Sequence, residues 1–170
     1  MAVGELRIGV IGIGAIGPSH IYSINQAHGC VLSAVCDVRE VAASAAAEEH
    51  GVVFYTDVKE MVESGEVDAV TVSTPSGYHL DAVLEGLRHD VHVLVEKPLE
   101  IDTARIDEII RAEEKSAGIV AGVYQTRFRP LVQKIKSFVD AGSVGEIFSG
   151  SAYIKRYRTQ EYYDSGNWRG

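Results

Sequence analysis

Residues 6–17 read Leu-Arg-Ile-Gly-Val-Ile-Gly-Ile-Gly-Ala-Ile-Gly, a short apolar run followed by Gly12-Ile13-Gly14-Ala15-Ile16-Gly17. A GxGxxG between a strand and a helix points to a dinucleotide fold. Gly12 permits the tight turn, Gly14 lets backbone approach a pyrophosphate, and Gly17 lets helix and strand pack closely. The helix that follows offers its N-terminal N–H groups and dipole to phosphate. Asp37 ends the second apolar run, about 20 residues past the last glycine, where a carboxylate accepts from the hydroxyls of an adenosine ribose.

Working outward, apolar runs alternate with helical patterns. The runs are Leu6–Ile11, Leu32–Cys36, Val52–Tyr55, Ala69–Ser73, His92–Val95 and Ile119–Val123. Several are apolar throughout, as strands covered on both faces are. Leu80, Val83, Leu84 and Leu87 form a helical stripe, with Asp81, Glu85 and Arg88 on the other side. Ile106, Ile109 and Ile110 form another, capped by Asp102 or Thr103, and Asp57 with Glu60 resembles a capping box over Val58–Val62. The pattern predicts an α/β fold with a doubly wound, mostly parallel Rossmann sheet over residues 1–123.

The remainder differs. Leu131, Ile135 and Phe138 predict a helix from Pro130 to Ala141-Gly142, and the strand-like run Ile147–Tyr157 has no second strand to pair with. Residues 124–170 are expected to open a second domain whose remainder is absent.

A net charge of −8 argues against nucleic acid or an anionic membrane as partner. No stretch approaches the roughly 18 apolar residues of a membrane helix. Without a secretory signal, and with Cys30 and Cys36 in no disulfide or CxxC pattern, the expected compartment is the cytoplasm. Charge is uneven, however: residues 121–170 hold eight Lys/Arg against four Asp/Glu. That balance is either a solvated surface or a seat for an anionic ligand.

Thr74-Pro75-Ser76 and Glu96-Lys97-Pro98 follow the fourth and fifth strands, at the carboxyl ends where open α/β sheets bind ligands. Lys97 would face the nicotinamide side, where burial and a positive ring favour proton exchange near neutrality, or else forms a surface pair with Glu96. His79 either lines the cofactor pocket or merely opens a helix. His20 lies one turn into the first helix near the phosphates, and Cys36 reads as core. His89-Asp90-Val91-His92 falls in a turn away from the crevice, so no metal site is expected.

These residues carry a resemblance. The GxGxxG, Thr74-Pro75-Ser76-Gly77-Tyr78-His79, the run His92–Pro98 with its Glu-Lys-Pro, and Arg127-Phe128-Arg129-Pro130 resemble the glucose–fructose oxidoreductase, inositol dehydrogenase and rhizopine-catabolism (Gfo/Idh/MocA) family. The resemblance implies a nicotinamide enzyme acting on sugars or cyclitols, with Lys97 touching both substrate hydroxyl and nicotinamide ribose. It also implies cofactor contacts at Thr74, Pro75, Ser76, His79, Glu96, Trp168 and Arg169, and a catalytic histidine beyond Trp168-Arg169. This chain, lacking that histidine, is expected to bind dinucleotide without catalysing.

Tyr157–Tyr163 and Ser165–Gly170 look like the branch that oxidises nucleotide-linked N-acetylated hexuronic acids. The basic balance agrees, because Lys155, Arg156 and Arg158, with Arg127, suit a carboxylate or diphosphate. The expected protein is an NAD-dependent dehydrogenase of an anionic sugar, with NAD preferred to NADP, working as a homo-oligomer. Its rivals are a dehydrogenase of free sugars or inositols and a non-catalytic NAD-binding regulatory module.

Overall fold

The computed structural model describes residues 5–166. The chain divides into two compact units, Met1–Val123 and Tyr124–Gly170.

In the first unit, strands β1 (Leu6–Ile11), β2 (Cys30–Cys36), β3 (Val53–Tyr55), β4 (Ala69–Val72), β5 (His92–Val95) and β6 (Val120–Gly122) form one sheet in the order β3-β2-β1-β4-β5-β6. Every pairing is parallel. This is the doubly wound Rossmann order, in which the chain reverses direction between β1 and β4 and leaves a crevice at their carboxyl ends. Helices α1 (Gly17–Gln26), α2 (Glu40–His50), α3 (Val58–Glu63), α4 (His79–Arg88) and α5 (Thr103–Glu113) make the crossovers.

Successive side chains of a strand point to opposite faces, so β1 and β2 feed two cores. Val10, Leu32 and Val35 pack with Ile21, Ile24, Ala46 and Ala47 of α1 and α2. Ile11, Val70, Val72, Val93 and Val95 pack with Met61, Leu80, Val83, Leu87 and Ile109 of α3, α4 and α5. β4 is buried along its whole length, as expected for a strand covered on both faces.

Register then fixes where the chemistry stands. Ile11 lies level with Cys36 and with Val72, Val72 with Val95, and Cys36 with Tyr55. The next residue of each strand therefore steps off the sheet in one row: Gly12, Asp37, Thr56, Ser73 and Glu96. Ladder-type bonds carry the row forward, with Gly12 N donating to Cys36 O at 2.7 Å, Ser73 N to Ile11 O at 2.8 Å and Glu96 N to Val72 O at 2.9 Å.

Helix starts follow their capping residues. Asp57 accepts from the backbone N–H of Lys59 and Glu60, and Asp102 from Ala104. Each such cap contributes about 1 kcal/mol. α2 ends on Gly51 in the left-handed region, at φ 68°.

The second unit contains α6 (Pro130–Asp140) and α7 (Gln160–Asp164). The strand-like run Ile147–Tyr157 forms no strand: these residues belong to no helix or sheet, and they are exposed. A strand exists through bonds to a neighbour, and none lies beside this run among the described residues.

Candidate functional site

Above the crevice lies a cavity of about 820 Å³, whose walls include Gly12, Gly14, Asp37, Thr74 and Pro75, brought together from the β1, β2 and β4 ends. Gly12 sits at φ 93°, and a Cβ there would come within 2.9 Å of the Ser73–Thr74 peptide. A Cβ on Gly17 would fall 2.3 Å from Gly12 O, so only glycine allows α1 to start against the β1 turn. Gly14 differs: a Cβ would meet nothing within 4 Å, because the position faces open space.

Helix α1 begins beside that space. Ile16 stands at its N-cap, no side chain caps it, and its first turn holds no acidic residue. Pro18 has no N–H and Ser19 N donates to Ile16 O at 3.0 Å, so α1 offers the Gly17 N–H and the positive end of its dipole beside an unfilled cradle, a setting for an anionic phosphate. Thr74 adds a buried hydroxyl that has no hydrogen-bond partner among the described residues. Glycine cradle, open helix end and orphaned hydroxyl together fit a dinucleotide pyrophosphate.

Asp37 is buried, with 7% of its side chain exposed. Its Oδ2 accepts from Ile13 N at 2.8 Å and Arg39 Nη2 at 3.1 Å, and its Oδ1 from Arg39 N at 2.9 Å and Arg39 Nε at 3.0 Å. Burial alone would raise the Asp37 pKa, but the Arg39 side chain and the two backbone donors outweigh it and hold the carboxyl below its ordinary value. Neighbouring Cys36 goes the other way: burial, then the charges of Asp57, Asp37 and Glu60, push its thiol up to about 12. It is an inert part of the wall, as a core cysteine should be.

Two expected cofactor contacts, His79 and Glu96, have protein partners of their own in the structure. The His79 ring is buried below the cavity, with Nε2 2.9 Å from Thr74 O and Nδ1 3.0 Å from Pro98 O, so it sits between the two loops and not in the pocket. The Glu96 carboxylate, 12% exposed, lies with Oε1 3.0 Å from His20 Nε2 on α1 and Oε2 accepting from Lys97 N at 3.1 Å, so both oxygens of this largely buried acid are satisfied within the protein.

Lys97 itself is exposed, its peptide bond to Pro98 is cis, and it stands outside the cavity walls. Ser76 opens a one-turn 3₁₀ segment directly after Pro75, while Ala15 and Ile16 are exposed in the glycine loop. Arg127, Arg156 and Arg158 lie in the second unit. The first two are exposed, and the Arg158 guanidinium stacks 4.6 Å from the Tyr162 ring centre. Trp168 and Arg169 fall outside the described residues.

Sequence reasoning missed the wall opposite the glycines. Tyr78, Asp81, Ala82 and Glu85 complete the cavity along one side of α4, and Thr56 to Lys59 close its far end. The signal was present: Tyr78, Asp81 and Glu85 recur at i, i+3 and i+7 on the face away from the apolar stripe.

Residues 6–124 match the oxidoreductase family with an NAD-binding Rossmann fold, Gfo/Idh/MocA, and the chain belongs to that family. It is 34% identical over 142 residues to the myo-inositol 2-dehydrogenase of Thermotoga maritima, covering 83% of this chain and 42% of that one. It is 40% identical over 112 residues to the inositol 2-dehydrogenase of an Arthrobacter species, covering 65% and 33%. Among solved structures, the WlbA dehydrogenase from Bordetella pertussis in complex with NADH and UDP-GlcNAcA superposes with a TM-score of 0.88 at 29% identity, covering 98% of this chain and 51% of that one. Scyllo-inositol dehydrogenase from Lactobacillus casei, with bound NAD(H) and scyllo-inositol, gives 0.77 at 29% identity, covering 84% and 43%. The chain thus spans about half the length of these solved relatives, or less. Among the described residues no helix is long and apolar enough to cross a membrane.

Proposed function

We propose that this chain is the dinucleotide-binding part of an NAD-dependent sugar or polyol dehydrogenase. The observation that carries the reading is the unfilled cradle at Gly14, beside the uncapped start of α1 and in the cavity that Asp37 also lines. Bound NAD would supply a hydride acceptor at its nicotinamide ring. The protein's part is to hold and exclude. Gly12, Gly14 and α1 bind the diphosphate, Asp37 receives the adenosine ribose, and Thr74 and Pro75 wall the crevice. Lys97, on the next loop along the sheet edge, holds or passes the proton of the substrate hydroxyl.

The substrate we propose is a nucleotide-linked uronic acid, read by Arg127, Arg156 and Arg158 through its carboxylate or diphosphate. The basic balance of residues 121–170 supports this, as does the likeness to WlbA over nearly the whole chain. A second reading, a free inositol or sugar dehydrogenase, is supported by the identity to curated inositol dehydrogenases. The same proposal takes 1–123 as the dinucleotide domain and 124–170 as the opening of a substrate and oligomerisation domain, in a cytoplasmic homo-oligomer. A substrate panel on a full-length protein containing this segment decides between the two. NADH formation with UDP-linked uronic acids ahead of inositols supports the first, and the reverse order supports the second.

A further inference from the structure

His20 has no place in the cofactor cavity, yet it is one of the best-connected polar side chains of the first unit. Its ring projects from the second turn of α1 under the sheet edge, with 12% of the side chain exposed. Nε2 lies 3.0 Å from Glu96 Oε1, and Nδ1 lies 2.9 Å from Thr71 Oγ1 on buried β4. A carboxylate oxygen accepts, so Nε2–H donates to it, and Nδ1 meets the threonine hydroxyl, accepting from it in the neutral ring and donating to it in the charged one. The other Glu96 oxygen, Oε2, accepts the backbone N–H of Lys97 at 3.1 Å. One unbroken chain of hydrogen bonds therefore runs from Thr71 through His20 and Glu96 to the peptide of Lys97.

Its three anchor points have different tasks. Thr71 belongs to the rigid centre of the sheet, 2% exposed. His20 rides on the helix whose first turn faces the phosphate cradle. Glu96 is the first residue off β5. Lys97 is exposed and, among the described residues, its side chain makes no hydrogen bond or ion pair, so its placement depends on the residues beside it. We infer that His20 and Glu96 are positioning residues, tethering the Lys97 loop to the phosphate-binding helix so that lysine and bound dinucleotide keep one register. The inference rests on the proposed role of Lys97.

The chemistry of the link is demanding. Replacing Glu96 by Gln leaves a single accepting oxygen for two donors, His20 Nε2–H and Lys97 N–H, and points an amide N–H₂ at one of them. His20→Phe keeps the ring volume and removes both bonds. His20→Gln keeps a side-chain donor near Glu96 and should behave closer to the parent.

The test uses a double-mutant cycle in a full-length protein, together with amide exchange in the present chain. His20→Phe and Glu96→Gln are expected to lower kcat about tenfold or more while the NADH dissociation constant stays within about threefold, since neither side chain lines the cavity. In a Lys97→Ala background the same changes should have no further effect on kcat, because they act through the lysine. In the 170-residue chain, exchange of the Lys97 amide should rise about tenfold in His20→Phe and less in His20→Gln. Losses that multiply with Lys97→Ala, or an unchanged Lys97 amide, would overturn the inference. If Lys97→Ala alone leaves turnover intact, the proposed role of the lysine fails, and amide exchange still judges the tether. Should His20→Phe not fold, Glu96→Gln and His20→Gln supply both readouts.

Discussion

The Arg39 guanidinium lies flat against the Asp37 carboxylate, with Nε on Oδ1 at 3.0 Å and Nη2 on Oδ2 at 3.1 Å. With the Ile13 and Arg39 amides, each carboxylate oxygen already accepts two hydrogen bonds. A ribose hydroxyl must therefore displace part of the exposed arginine before it reaches the acid.

Cofactor choice follows from this pair. The carboxylate favours the two ribose hydroxyls of NAD and repels a 2′-phosphate, whereas Arg39 could meet that phosphate. NADH should bind more tightly than NADPH, and Arg39→Ala should widen the gap. Asp37→Ala should weaken NADH by about tenfold or more. Calorimetry with both cofactors reads all three, and tighter binding of NADPH by the parent chain would refute the assignment.

Lys97→Ala, in a protein of the family's full length, should lower turnover by about 10²-fold with little change in NADH affinity. The lysine lies outside the cavity that the cofactor's diphosphate and adenosine ends would occupy. Steady-state kinetics alongside a binding titration separates the two quantities. Turnover within a few-fold of the parent would remove Lys97 from the mechanism.

If the substrate is anionic, Arg127, Arg156 or Arg158 should matter to its binding. A charge-assisted bond is worth about 1.5–3 kcal/mol, so loss of the arginine that makes it should raise the Michaelis constant about ten- to a hundredfold. Single alanine variants assayed with charged and neutral sugars test this. Equal effects on both substrate classes would speak against charge recognition.

Acid should unfold the first unit partly through Glu100. Its side chain is fully buried, Oε2 accepts from Leu80 N at 2.9 Å and Oε1 from Ile101 N at 2.8 Å. Burial alone raises its pKa, but those two bonds and Arg105 bring it below the ordinary value. A depressed folded-state pKa means stability that is present above the unfolded value of about 4.3 and lost as pH falls through the folded value. Asp37 has the same sign. Melting temperature against pH should fall steeply below about pH 4, and Glu100→Gln should start lower and fall less. Parallel curves for the two proteins would exclude Glu100 from the acid transition.

Much of this was legible in the residues. β1 and β5 begin and end where their apolar runs do, because the buried residues at their carboxyl ends anchor each run in the core even though Arg7, His92 and an exposed Leu94 interrupt the pattern. Asp57, Asp102 and Pro130 start their helices as side-chain and backbone chemistry require. Helix α2 was harder to place: Glu-Val-Ala-Ala-Ser-Ala-Ala-Ala has high helix propensity but almost no apolar stripe to mark it. The Gly12, Gly14 and Asp37 cluster was readable because its spacing encodes a turn, a cradle and a strand end. The partners of Glu96 and His79 were not legible: proximity to a ligand-binding edge is visible in sequence, but the direction of a side chain depends on donors and acceptors as far as 76 residues away. The run Ile147–Tyr157 was legible as strand-like but without a second strand to pair with, and among the described residues it joins no sheet, because pairing is a property of two segments.

The central claim is that this chain holds a dinucleotide at the Gly14 cradle, and isothermal calorimetry of NADH with the parent chain and with Gly14→Val tests it most directly. Gly14 is not at positive φ and has nothing within 4 Å of its would-be Cβ, so valine there should leave the fold and its melting temperature nearly unchanged. The account predicts measurable binding by the parent and a loss of at least about tenfold in the variant, since the added side chain fills the space meant for the diphosphate. Equal binding by the two proteins, or none by the folded parent, would contradict it.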